Sequence, residues 1–206
     1  MATNTQEVNL AGMVMRHSCH ACAFFHSRES EYGVMLPFAR EGYERGEKLF
    51  QLVEPGHRKE RLQRLADAGI VADDGDPKGQ VEVRPWEDAY LRGGRFDQNA
   101  MLALIQQTLE NGKAAGFGLT RLWANMEWAL EDLPGVEDLL EYETRLNHIL
   151  PRYDDVVVCT YDLAKFGAGV VVDVLRTHPM AIVGETLQQN PFYVPPDELL
   201  RELHSR

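Results

Sequence analysis

Short apolar runs of strand length alternate along this chain with segments of helical period, and that alternation constrains the fold more than any other feature. It is the signature of βαβ units, in which parallel strands are joined by helices packed on the faces of one sheet. Candidate strands fall at 20–25, 48–53, 80–84, 117–124, 155–160 and 180–183. Helices are expected between them at 27–45, with Pro37 predicting a kink, and at 56–68, ending at Gly69. A third is capped by Asp97, a fourth follows Pro134 and aligns Leu139, Leu146 and Leu150 before Pro151 stops it, and a fifth covers 165–176. The fold class is therefore α/β, a mostly parallel sheet flanked by helices. Such sheets bind ligands outside the carboxyl ends of their strands.

The chain has 206 residues, 44% of them hydrophobic, which suits one domain with a core of its own at about 14–196. No internal repeat or linker interrupts it; 73–78 (DDGDPK) reads as a loop, and one short helix follows Pro195-Pro196. A formal charge of −11 repels a phosphate backbone, and the one dense basic stretch, His57-Arg58-Lys59-Glu60-Arg61 with Arg64, reads as a solvated helix face. Direct nucleic-acid binding is not expected. The amino-terminal stretch MATNTQEVNLAG lacks a secretory pattern, and no apolar run is long enough to span a bilayer. Three cysteines, with Cys159 far from Cys19 and Cys22, fit reduced thiols in the cytoplasm.

Residues 17–26, HSCHACAFFH, concentrate histidine and cysteine. Alternation along a strand puts His20, Cys22, Phe24 and His26 on one face and Cys19, Ala21, Ala23 and Phe25 on the other, so the two cysteines point apart. Their Cα atoms would stand ~10 Å from each other, too far for a disulfide. A CxxC chelate would need a turn, and the segment has neither Gly nor Pro. Two readings of His20 and Cys22 remain: a ligand pocket at the carboxyl half of the first strand, or a hydrogen-bonded histidine and a small buried thiol in the core. His17 and His26 are expected to be exposed.

Nucleotide machinery is missing. No GxxxxGK[ST] occurs, no GxGxxG follows the first strand, and the turn after Phe25, HSRES, has no glycine with which to cradle phosphates. ATP binding is not expected, and Gly93-Gly94 and Gly167/Gly169 read as turn glycines. Several stretches together, HACAFF (20–25), PFAREGYERGEKLF (37–50), YLRGGRFD (90–97), NMEWALEDLPGVEDLLEYETRLN (125–147), CTYDLAKFGAGVVVDVLRTHPMAIVGE (159–185) and NPFYVPP (190–196), resemble the MEDS domain. That family is named for methanogen and methylotroph proteins and the sensory domain of a dichloromethane-responsive repressor. The resemblance implies a RecA-like fold without a functional P-loop, and detection of a small organic molecule, hydrocarbon-derived or one-carbon-related. With only about ten residues on either side of the domain, output is expected to pass to a separate signalling or regulatory protein.

The expected ligand-binding residues are His20, Cys22, Phe24, Glu54, Tyr90, Arg95, Phe96, Glu127, Trp128 and Tyr161. Arg95 sits in a glycine-jointed loop where it could clamp an anion or pair with Asp97. Glu127 beside Trp128 follows a strand end, where a raised pKa would make it a proton donor or base; alternatively Trp128 is core and Glu127 exposed. Arg176 to Pro179 precede the last strand, at the amino end of the sheet, which argues for a structural role. Asn190 and Tyr193 either close over the pocket or finish the fold. An alternative to the sensor is a metal-dependent or Cys/His-based enzyme acting on a small organic substrate, with His20, Cys22 and Glu127 as the metal ligands if a metal is bound; no cofactor is otherwise expected. A third is an interaction protein with a filled pocket, and open sheet edges allow a homodimer for it and for the sensor.

Overall fold

The computed structural model describes residues 7–15, 18–72, 76 and 78–205. Parallel strands β3 (Cys19–Phe25), β4 (Lys48–Val53), β5 (Val81–Pro85), β6 (Thr120–Asn125), β7 (Val156–Asp162) and β8 (Met180–Val183) form one sheet, with β9 (Thr186–Gln189) antiparallel at its edge. The order is β5-β4-β6-β7-β3-β8-β9, and a separate hairpin is formed by β1 (Val8–Leu10) and β2 (Met13–Met15). The six sequence-derived strands are all present. The hairpin and β9 were not expected from the sequence: each strand has only three or four residues, and TLQQ carries no apolar run.

Helices α1 (Arg28–Glu44) and α2 (Arg58–Asp67) cover one face; α3 (Gln98–Ala114), α4 (Leu139–Ile149) and α5 (Ala168–Thr177) cover the other, and α6 (Pro196–Leu203) packs on α4 and α5. α1 continues through Pro37. Its first turn is closed by a Ser27–Ser30 capping box, and Asp97 caps α3 by accepting from the amides of Asn99 and Ala100, as the sequence suggested. Side chains along β3 alternate as expected: Cys22 and Phe24 join the core under α3–α5, whereas Cys19, Ala21, Ala23 and Phe25 join the core under α1. His26 is exposed; His17 and most of 73–78 lie outside the described residues. No helix among the described residues is long and apolar enough to cross a membrane.

Two buried polar networks tie the α1–α2 layer to the sheet. Arg121, fully enclosed on β6, donates to Glu47 Oε2 at 2.5 Å, Glu41 Oε2 at 2.9 Å and the Phe38 carbonyl at 2.8 Å. Gly42 permits this crossing, since a Cβ there would lie 2.7 Å from the Arg121 side chain. In the second network, Glu31 accepts from Trp123 Nε1 at 2.7 Å, Thr160 Oγ1 at 3.0 Å and Arg61 at 3.3 Å, while the Arg61 guanidinium lies 3.4 Å from the Trp123 ring centroid. This corrects the solvated-face reading of 57–64: Arg61 shares a helix face with Leu65, and both are buried. Removing Arg121 strands two carboxylates, one of them wholly enclosed. Arg121→Ala should therefore cost about 3–5 kcal/mol, more than a typical exposed substitution. Urea unfolding of the two proteins side by side measures it, and a loss below about 1 kcal/mol would show that Glu47 is not held as an ion pair.

Candidate functional site

The ten sequence-derived residues do not gather into one site. Glu54 follows β4, Glu127 follows β6, and Asp162 closes β7, all at the carboxyl ends of the strands. There Lys165 pairs with Glu127 and lies 3.8 Å from Glu54, which also meets His57 Nδ1 at 2.6 Å and Arg28 at 3.8 Å. Glu127 is buried rather than exposed, and its backbone N–H donates to the Asn125 side chain. This end of the sheet is an ion network joining α1, β4 and the segments after β6 and β7.

Beside the network lies an open cleft of about 550 Å³, within the range of small-molecule sites. Trp86 and Leu91 form its apolar wall, Glu54, Glu87 and Glu131 its polar rim, and Gly93-Gly94 its mouth. Both glycines adopt left-handed backbone, φ 77° and 75°, which explains why this loop carries the pair. Behind the loop, Tyr90 stacks on Trp128 with ring centroids 4.5 Å apart, Phe96 lies 4.3 Å from Trp128, and Tyr142 meets Tyr90 and Phe96 edge-on. Gly135 holds the other side: a Cβ there would lie 2.2 Å from the Phe96 carbonyl oxygen. Tyr90, Phe96 and Trp128 are thus core side chains backing the cleft and do not line it. Phe24 and Tyr161 form a second ring pair, 5.7 Å apart, deeper under the sheet. Arg95 is exposed and is not part of the cleft lining.

His20 occupies a third place. It is the second residue of β3 and so lies at the amino end of the sheet, not in its carboxyl half as the sequence reading had it. In register, His20 stands opposite Val157, whereas Asn125, the last residue of β6, stands opposite Thr160. Glu127 lies beyond that point, and Cys22 Sγ is directed to the Met180 carbonyl at 3.7 Å. The structure therefore does not bring His20, Cys22 and Glu127 together as a ligand set.

His20 instead joins Glu143 of α4, Cys159 of β7 and His178, which follows α5. Glu143 Oε2 lies 3.2 Å from His20 Nε2 and 3.3 Å from His178 Nε2, with Cys159 Sγ at 3.7 Å; Oε1 accepts from Tyr161 OH at 3.3 Å. All four residues are 3% exposed or less, so none of these groups meets bulk water. Burial raises the Glu143 carboxyl, but the imidazoles of His178 and His20 outweigh it and hold it down at about 2. Burial, then the charge of His20, pushes His178 below its ordinary value against the pull of Glu143. Burial and then the Glu143 charge drive the Cys159 thiol well up.

Glu143, Cys159 and His178 were absent from the sequence-derived site. A signal for Glu143 was available: it follows Leu139 by four positions and precedes Leu146 by three, placing a carboxylate in the apolar stripe of its helix. His178 does lie at the amino end of the sheet, as read, but that end carries the cluster. Asn190 fixes its position by donating to the carbonyls of Leu175 and His178, so NPFYVPP finishes the fold there and does not close the cleft.

Burial also pushes Cys19 up to about 12 and raises Cys22, so all three cysteines are enclosed and protonated as free thiols. Ellman's reagent should find no reactive thiol in the native protein and three after unfolding in guanidinium. Rapid native reaction of Cys159 would contradict its enclosure.

Comparison with known proteins bears on most of the chain. A family model described as MEDS, MEthanogen/methylotroph, DcmR Sensory domain, matches residues 19–179. Transcriptional repressor DcmR of Methylorubrum extorquens is 24% identical over 184 residues, covering 85% of this chain and 63% of that protein. The chain thus spans less than two thirds of that relative's length. Among solved structures, the KaiC-like protein PH0186 from Pyrococcus horikoshii OT3 superposes with a TM-score of 0.55 at 13% identity, covering 84% of this chain and 71% of the other. At that identity the likeness speaks for the fold alone, a RecA-like α/β sheet.

Proposed function

This chain belongs to the MEDS family of sensory domains, and from that membership we propose that it binds a small uncharged organic molecule in the carboxyl-end cleft and signals to a separate regulatory protein in the cytoplasm. The observation that carries the reading is the cleft itself. It lies where open α/β sheets take their ligands, and it combines an apolar wall, Trp86 and Leu91, with hydrogen-bonding carboxylates at the rim. Three rim carboxylates disfavour an anionic effector and suit a molecule with an apolar body and a hydroxyl or similar donor. The relative named as a transcriptional repressor supports a regulatory output.

The route from effector to partner is the 86–96 segment. It presents Trp86 and Leu91 to the cleft and inserts Tyr90 and Phe96 among Trp128 and Tyr142, so an effector that reseats Leu91 also shifts the aromatic stack. To throw such a switch fully, the effector must discriminate between its two states by ~10⁴-fold. Glu54 contacts the effector, and Glu127 acts through Lys165, which bridges the two carboxylates.

Thermal-shift and tryptophan-fluorescence titrations with short-chain alcohols, aldehydes and haloalkanes test this reading. At least one class should raise the melting temperature and alter Trp86 emission. Gly56 lies exposed on the rim with open space around its α-carbon, so Gly56→Trp should fill the cleft and weaken that binding at least tenfold without disturbing the circular dichroism. Binding undiminished in Gly56→Trp would place the effector elsewhere and overturn the assignment.

A further inference from the structure

At the opposite end of the sheet, the side chains around Glu143 have no part in that cleft. Four potential ligand atoms, His20 Nε2, Glu143 Oε2, Cys159 Sγ and His178 Nε2, lie within 4.8 Å of one another, contributed by β3, α4, β7 and the α5–β8 turn. Their hydrogen bonds determine which atoms are free to coordinate.

Asn147 donates through Nδ2 to the carbonyls of Thr177 at 2.7 Å, Glu143 at 3.2 Å and Thr144 at 3.4 Å, which orients its amide and turns Oδ1 toward His20 Nδ1 at 3.0 Å. Because that oxygen can only accept, His20 Nδ1 carries the proton. His178 Nδ1 lies 3.0 Å from the Val174 carbonyl and 2.8 Å from Thr177 Oγ1, whose own hydroxyl donates to that carbonyl. The carbonyl again obliges Nδ1 to be the donor. With Nδ1 so engaged, Nε2 is the atom each ring turns toward Glu143, a donor when the ring is protonated and a lone pair when it is neutral; His178 Nε2 is buried without a hydrogen-bond partner. Oxygen acceptors on the far ring nitrogen are what orient histidine ligands in metal sites.

In the neutral rings two imidazole lone pairs would face a carboxylate oxygen at 3.2 and 3.3 Å. Without a proton or a cation between them that contact is repulsive, and burial makes the repulsion costly. The spacing suits an ion. In a tetrahedral zinc site with ligands at about 2.0 Å for nitrogen and oxygen and about 2.3 Å for sulfur, neighbouring nitrogen or oxygen atoms stand ~3.3 Å apart and sulfur ~3.6 Å from either. Here sulfur lies 3.7 Å from Glu143 Oε2 and 3.8 Å from His20 Nε2. Contraction of the longest separation, 4.8 Å, by about 1.2–1.5 Å would complete the tetrahedron.

We propose that His20, Glu143, Cys159 and His178 form a closed, four-coordinate site for a divalent transition metal of borderline softness, with zinc the best match. Two imidazoles, one carboxylate and one thiolate suit such an ion and are poor partners for calcium or magnesium, which take oxygen ligands. Binding releases the Cys159 thiol proton to solvent, since the thiolate is the ligand; no oxidant or reductant takes part. Because all four positions are filled by protein, the metal clamps four elements and holds no open position for substrate.

Cobalt substitution tests the site directly. The full chain is unfolded in guanidinium with chelator, desalted and refolded with one equivalent of Co²⁺ or Zn²⁺, which gives a buried site access to metal. The expected result is one tightly held ion per chain, visible d–d bands typical of tetrahedral cobalt, a near-ultraviolet thiolate-to-cobalt band, and a melting temperature above that of protein refolded without metal. Cys159→Ser should abolish the thiolate band and weaken binding at least tenfold. His178→Gln, refolded in the same way, should also lose the tetrahedral spectrum. Wild-type protein that refolds to a native circular dichroism spectrum yet takes up neither ion would overturn the proposal and leave the cluster as a proton-bridged core network. So would a cobalt spectrum unchanged in Cys159→Ser.

Discussion

A carboxylate inside an apolar helix–sheet interface is the constraint around which the α3–α5 side of this molecule is arranged. Glu143 projects from α4 between Tyr142 and Leu146, where a hydrocarbon side chain would pack without penalty. An isolated charge there is untenable, so every neighbour must be a polar group in the right place: the Tyr161 hydroxyl on one oxygen, two imidazoles and a thiol on the other. These groups come from β3, β7 and the α5–β8 turn, so accommodating Glu143 fixes how α4 and α5 sit on the sheet. Asn147, one helical turn on, extends the same constraint to the Thr177 carbonyl, and Asn190 holds the chain beyond it.

The opposite face solves the equivalent problem with cations. Arg121 and Arg61 lie in the core beside Glu47 and Glu31, and Arg61 also stacks on Trp123. Arginine suits these positions because its planar, weakly hydrated guanidinium can donate in several directions and lie on a ring face. Glu31 is shared by α1, α2, β6 and β7, so the helical layer is registered to the sheet by directional bonds in addition to area burial. Both networks lie within covered layers, whereas the carboxyl end keeps an open cleft.

Periodicity alone revealed the sheet. Lys48–Val53 and Met180–Val183 have the limits expected from their apolar runs, because buried parallel strands must be apolar on both faces. The short β1–β2 hairpin and β9 were illegible for the converse reason: they are peripheral elements of three or four residues that bury only one or two side chains each. The site was less legible than the fold. Strand alternation correctly placed Cys22 and Phe24 on one face, yet it could not say which end of the sheet His20 occupies. Nor could it join His20 to residues more than a hundred positions away, since cross-strand register is set by tertiary pairing. Arg61 misled because a basic run looks solvated until its helical phase with Leu65 is counted.

The two ends of the sheet are not physically independent. Tyr161 donates to Glu143 through its hydroxyl, while its ring contacts Phe24 and, at 5.2 Å, Phe166. Phe166 adjoins Lys165, whose ammonium pairs with Glu127 beside the cleft and reaches toward Glu54 on its rim. Cleft, aromatic layer and buried cluster therefore form one contiguous packed path, closed at the amino end around Glu143 and open at the carboxyl end. Contiguity alone does not make a switch, because coupling requires an element with two discrete arrangements. The 86–96 segment is the natural location for one: its two left-handed glycines lie exposed at the cleft, its aromatic residues are buried, and the boundary between the two runs through Tyr90 and Leu91.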